Sequence, residues 1–200
     1  MEPAATLDLR LPAETAARFT PLFSAGVGIA TRTGIPLVKL LCDQLGIDEK
    51  YLDQRVQTIF VNARAVDDVT RLTVDDGDVI ALSAAMPGLV GATLRKGGVL
   101  ASFRAAISYS SGGGQGGGAG FTVVTLKLFN LVARELAAAI LRGGIWIKGG
   151  RLAAFLEQTT PPPDDTMSVR WNGKPVQSDR WTALPWPEGW VELRVETLTV

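Results

Sequence analysis

Residues Ile59–Val66 read IFVNARAV, and Val169–Val176 read VRWNGKPV. Each copy puts a β-rich run before an asparagine (Asn62, Asn172), then a small residue, a cation, a small or imino residue and valine. Neither copy carries an obvious catalytic group. A phrase written twice in one chain asks whether its surroundings are written twice as well.

They are. Before the first copy, Leu7, Leu9 and Leu11 alternate with Asp8 and Arg10, the period-two pattern of a half-buried strand. Pro12 opens a helix over Ala13–Phe19, Gly26 closes the turn after it, and VGIATRT forms a strand ending at Gly34. Pro36 starts a second helix with Leu37, Leu40, Leu41 and Leu45 on one face and Gly46 as its cap. VQTIFVNARAV is the next strand, Asp75–Asp78 a tight turn, and VIALSAA the last strand, broken at Pro87–Gly88. The second half repeats this order. TVVTLKLF alternates as a strand, although Leu126, Phe129, Leu136 and Ile140 would also suit one helix face; strand followed by helix is preferred. LVARELAAAILR is a helix stopping at Gly143–Gly144, IWIK a strand, RLAAFLEQ a helix and MSVRWNGKPV a strand with a turn. PEGWVELRVETL matches DDGDVIALSAAM, with Gly189 at the place of Gly77. The recurrence of strand, helix, strand, helix, strand, strand with Gly or Pro at the joints indicates duplication. The expected fold class is α+β. Residues 1–90 and 121–200 each form a unit, joined over 91–120 by a helical, Gly-rich connector.

Composition narrows the function classes. A hydrophobic fraction of 46% with 20% charged residues is globular, and a formal net charge of zero gives no general attraction to nucleic acid or acidic membranes. Histidine is absent, which removes imidazole-based nucleophile activation and metal ligation. Cys42 is the single cysteine, so no intrachain disulfide forms and a reducing compartment is expected. The N-terminus has no signal-peptide pattern, and the apolar stretches 90–107 and 122–147 are interrupted by charges, so no membrane span is expected. A cytoplasmic protein without cofactor or metal is the reading, with another protein as its partner and self-association as a possibility.

The order helix, FVNARAV, loop, DDGDVIAL, then Pro-Gly resembles the ubiquitin-like β-grasp sulfur-carrier proteins of molybdopterin and thiamine synthesis. It does so over Gly34–Gly88 and, less closely, in the second half, where EGW stands for DGD. The resemblance implies β-grasp units. In those carriers a free C-terminal diglycine is adenylated and becomes a thiocarboxylate. Here the first copy runs on through MPGLVGATLRKGG and the sequence ends ETLTV, and a helix stands between the first two strands where the carriers have a hairpin.

Two functions follow as expectations. The first is a non-catalytic, ubiquitin-like binding protein; the second is a carrier or modifier precursor cut after Gly98. Arg95, Lys96, Gly97 and Gly98 form the candidate tail, although a basic helix end with its glycine cap is the preferred reading of the same residues. Gly112–Gly120 lacks the Lys-Ser/Thr of a phosphate loop and reads as a flexible linker. Cys42 reads as a small core residue, and Asp75, Asp76 and Asp78 as a solvated turn rather than a cation site. Leu89, Val90, Leu94, Phe103, Trp186 and Trp190 form the candidate partner surface, set against packing of a connector and of a small core.

Overall fold

A computed structural model describes residues 2–84, 120–159, 161, 167–177 and 180–198. The protein is a mixed α+β structure. In chain order the described elements are β1 (Ala5–Leu11), α1 (Ala13–Ala17), α2 (Pro21–Ala25), β2 (Val27–Arg32), α3 (Leu37–Lys39) and α4 (Glu49–Gln54). Strands β3 (Thr58–Val61), β4 (Arg64–Ala65), β5 (Val79–Ser83) and β6 (Phe121–Phe129) follow. Then come α5 (Asn130–Gly143), β7 (Ile145–Lys148), α6 (Gly149–Glu157), β8 (Ser168–Trp171), β9 (Lys174–Val176) and β10 (Trp190–Thr197). Helix α3 continues as a π-helical turn over Leu40–Gln44. The ambiguous stretch after residue 120 is a strand to Phe129 and a helix from Asn130, whose positive φ of 54° makes the joint.

The described residues of 1–22 and 137–200 form one compact unit, and those of 23–136 the other. This grouping cuts across the sequential one: the second unit is continuous in sequence and lies between two segments of the first. In the continuous unit the strands run in the order β4-β3-β5-β6-β2. Strands β5 and β6 are parallel at the centre, with antiparallel neighbours β3 and β2 outside them. In the discontinuous unit the order is β7-β10-β1-β8-β9, with β1 and β10 parallel at the centre and antiparallel β8 and β7 outside. The two layouts therefore match position by position, although the strands filling them do not.

The repeated asparagine phrase shows how. Both asparagines open a two-residue hairpin turn with positive φ at each central residue: Asn62 (51°) and Ala63 (63°), Asn172 (50°) and Gly173 (74°). This is the turn whose twist fits antiparallel strands. Both then clamp a neighbouring strand in the same way. The Asn62 N–H donates to the Val79 carbonyl at 2.9 Å, and the Val79 N–H donates to Asn62 Oδ1 at 2.9 Å. The Asn172 N–H donates to the Thr6 carbonyl at 2.9 Å, and the Thr6 N–H donates to Asn172 Oδ1 at 2.8 Å. In the first copy the clamped strand is β5, the one that follows locally. In the second it is β1, from the start of the chain.

The difference lies in the turn before the clamped position. Asn62 Nδ2 also donates to Asp78 Oδ1 at 2.7 Å, and Asp78 Oδ2 accepts the Asp75 N–H at 2.8 Å, closing the DGD turn onto the asparagine. The matching residue of the second copy is Trp190, which offers no carboxylate. Strand β10 instead lies one place over, beside β7.

Helices cover one face of the discontinuous unit's sheet. Leu7, Leu9, Leu11, Val191, Leu193, Val195, Ile145 and Ile147 are buried there with Phe19, Leu22, Leu152 and Leu156. The Phe19 and Phe155 rings meet at 5.2 Å. Burying three leucines from β1 alone is worth about 1.5–3 kcal/mol each. Gly149 is required: a Cβ there would stand 2.1 Å from the Pro187 carbonyl oxygen, while Gly150 faces open space.

Two substitutions check these local arguments. Ala63 holds a left-handed conformation that costs a non-glycine residue about 1 kcal/mol. Ala63→Gly is therefore expected to raise the urea unfolding midpoint, and Gly173→Ala to lower that of its own unit. Gly149→Ala is expected to cost about 2 kcal/mol or more by forcing backbone apart, with Gly150→Ala neutral or slightly stabilising, measured in the same unfolding assay.

Candidate functional site

Strand pairing fixes what the uncovered face of the discontinuous unit presents, because side chains opposite one another share a face. Three rows cross it. Trp146 on β7, Glu192 on β10 and Thr6 on β1 make the first. Arg194, Asp8 and Arg170 of β8 make the second, and Glu196, Arg10 and Ser168 the third. The positions between them carry the buried leucines and valines, so alternation alone places every polar group outward.

Charges are arranged with opposite signs as neighbours. Arg10 Nε meets Glu196 Oε2 at 3.0 Å, and Arg194 bonds Glu192 Oε1 at 2.8 Å. Both pairs are solvent-exposed, a class worth about 0–1 kcal/mol, so they orient side chains more than they stabilise the fold. Asp8 stands in register between Arg194 and Arg170. A shallow depression of about 350 Å³ opens here, lined by Asp8, Leu9, Arg10, Ser168, Arg170, Arg194 and Glu196. Three guanidiniums and two carboxylates line it, a mixed-charge surface that suits recognition of charged side chains. Ser168 is the hydroxyl of the group, and the neighbours lining the depression with it supply guanidinium and carboxylate.

At one end of this face Lys148 Nζ lies 4.3 Å from the centre of the Trp190 ring, and Trp146 packs against Trp190 at 6.5 Å. The cation–aromatic contact fixes the lysine beside a half-buried indole. Of the sequence candidates, Trp190 therefore belongs to the open face. Trp186 does not join it: its ring meets Trp171 edge-on at 5.3 Å and its Nε1 donates to the Thr182 carbonyl at 3.0 Å. Trp171 pairs with Leu7 and so shares the packed face. Leu89, Val90, Leu94 and Phe103, and the candidate tail Arg95, Lys96, Gly97 and Gly98, lie outside the described residues. Sequence reading passed over Asp8, Arg10, Ser168, Arg170, Arg194 and Glu196. Their signal was present, as the polar positions at spacing two opposite the leucines.

In the continuous unit, Tyr51 and Arg55 converge on Glu135 of α5. The Tyr51 hydroxyl donates to Glu135 Oε2 at 2.6 Å, and Arg55 donates to Oε1. Burial, then the bond to Glu135, pushes the Tyr51 phenol well above its ordinary value near 10. The Arg55 and Tyr51 donors hold the Glu135 carboxyl below its ordinary range. A phenol so hard to ionise is a tether, not a base. Cys42 is half-buried, and burial together with Glu49, Asp43 and Asp48 raises its thiol, which makes a poor nucleophile. The Asp75–Asp78 turn directs Asp78 to the backbone and Asn62, and Asp76 accepts from Thr122. No group of three metal-ligating side chains lies together among the described residues.

The tether gives a signed pH dependence. A raised phenol pKa stabilises the fold fully below about pH 10 and is lost as pH rises beyond it; a lowered carboxyl pKa stabilises above about pH 4.5 and is lost on acidification. Tyr51→Phe is expected to flatten the alkaline fall in urea midpoint above about pH 10 while leaving a smaller acid limb.

No described helix is long and apolar enough to cross a membrane. No protein-family model, curated protein or solved structure matches the chain.

Proposed function

We propose that the protein is a non-catalytic, ubiquitin-like interaction protein built from two β-grasp-type units, with another protein as its partner. The observation that carries this reading is the shared sheet layout: a central parallel pair flanked by antiparallel strands, one of which continues into a short hairpin. With strands numbered by role, β2-β6-β5-β3-β4 is in keeping with the β-grasp order 2-1-5-3-4, with the strand in the first role at the end of the continuous unit. The fold supports the class of protein and the open face supports the mode of action. That face presents mixed charge beside the Trp190–Lys148 pair, in keeping with the polar rims and aromatic anchors of protein interfaces.

Strand placement also argues against release of a free carrier by a cut after Gly98. Strand β6 follows that cut yet lies between β2 and β5, and β1 precedes it yet lies between β10 and β8. Neither piece would leave with a complete sheet.

The test is site-specific photo-crosslinking in the source cells, with the reactive amino acid at Ser168 on the open face or at Lys50 on α4. A discrete protein adduct from Ser168, absent from Lys50 and lost on Arg170→Glu, is the expected result. An empty lane at Ser168, or a fragment ending at Gly98 with a sulfur-for-oxygen mass change, would overturn it.

A further inference from the structure

We propose that the open face selects its partner through Asp8 and Arg170, and that the partner is a protein segment carrying a cation and a carboxylate side by side. The cation meets Asp8 and the carboxylate meets Arg170, a selection that rests on the interaction reading above.

Pairing within the face isolates these two groups. Arg10 Nε holds Glu196 Oε2 at 3.0 Å, Arg194 Nη2 holds Glu192 Oε1 at 2.8 Å, and Lys148 Nζ stands 4.3 Å from the centre of the Trp190 ring. Each of those charges has its counterpart inside the same unit. Among the described residues, Asp8 and Arg170 have none, since neither side chain forms a hydrogen bond or an ion pair.

The two are also neighbours. Asp8 of β1 and Arg170 of β8 are register partners, so their side chains leave the sheet on the same face, one strand spacing apart. Both line the depression, where Ser168 adds a hydroxyl. Asp8 is half-buried on a central strand, and Arg170 is exposed beside it. One acceptor and one donor therefore stand open at a single spot.

Desolvation turns that difference into selectivity. A charge covered by a partner loses water, and the loss is offset only where an opposite charge comes within reach. Arg10 with Glu196 and Arg194 with Glu192 bring that compensation with them. For Asp8 and Arg170 it must arrive with the partner, and a surface of one sign would attract one of them and repel the other. A segment with opposite charges two residues apart along a strand, or one turn apart on a helix, meets both at once. Were Asp8 and Arg170 simply to close on each other, the face would be unselective, and exchanging the two residues would change nothing.

That exchange is the test. The photo-reactive amino acid is placed at Ser168 of the full chain in the source cells, in three backgrounds: the natural chain, Asp8→Arg with Arg170→Asp, and Arg10→Glu with Glu196→Arg. Both exchanges keep the net charge and the chance of a pair within the face. The adduct should fall by about tenfold or more in the Asp8–Arg170 exchange and by about twofold at most in the Arg10–Glu196 exchange. Melting curves followed by circular dichroism check that each chain is folded. Mass spectrometry of the crosslinked segment should show Lys or Arg within one helical turn of Asp or Glu. An adduct at full strength in the Asp8–Arg170 exchange, equal loss in both exchanges, or a captured segment lacking either charge overturns the selection while leaving a partner on the face. No adduct from the natural chain overturns the interaction reading and the selection together. If the exchanged chain does not fold, Asp8→Asn and Arg170→Gln decide singly: each should weaken capture, and an unchanged adduct from either overturns the selection.

Discussion

The paired bonds between an asparagine at a hairpin tip and one residue of the neighbouring strand are the constraint on which both sheets depend. A two-residue turn with positive φ at both central positions leaves the asparagine's own N–H and side-chain oxygen pointing the same way. They meet one donor and one acceptor of a single residue, Val79 in one unit and Thr6 in the other. That contact sets the register of the central strand. Because the side-chain period of a strand is two, it also sets which side chains reach the core. The buried leucines of β1 and the outward row of Asp8 and Arg10 are both consequences of where Thr6 is held.

From this constraint the surface chemistry follows without further design. Once Leu7, Leu9 and Leu11 face the helices, the intervening Asp8 and Arg10 must face away, and Glu192, Arg194 and Glu196 of the parallel partner fall beside them. Parallel pairing brings residues of like parity together, so a charge pattern written in two distant stretches becomes a single surface. Glycine completes the frame where side chains of a paired strand stand close. Gly26 (φ 101°) and Gly144 (φ 100°) precede β2 and β7 respectively, each where a Cβ would press on a side chain of the next strand, Thr125 or Glu192.

Much of this was legible in the sequence, and the rest was illegible for a physical reason. Period-two alternation located β1 and β6, the match to DDGDVIALSAAM located β10, and the glycine after LVARELAAAILR marked the end of α5. The short helix α4 was missed although Asp48 caps it, its side chain accepting the Tyr51 N–H at 3.1 Å; one turn of EKYLDQ carries too few apolar residues to register as periodic. Strand partnership was the larger gap. ATLDLRL, VIALS and WVELRVET all read as strands, and such a reading never states which neighbour is hydrogen-bonded. A sequence clue did exist. Asp78, which receives Asn62, has Trp190 as its counterpart, and that lost carboxylate removes the bond that ties the first copy's asparagine to its local strand. Of the surface residues, Trp190 was legible as an aromatic in a strand, whereas Arg170 and Ser168 gained meaning only from their places opposite Asp8 and Arg10.

The central parallel pair of the discontinuous unit has a mechanical corollary. Its seven register pairs run from Ala5 opposite Val191 to Leu11 opposite Thr197. The chain therefore enters the ladder beside residue 5 and leaves it beside residue 197, at opposite ends. Tension drawn between those two ends loads the ladder in shear, so its bonds bear the force together instead of opening one after another.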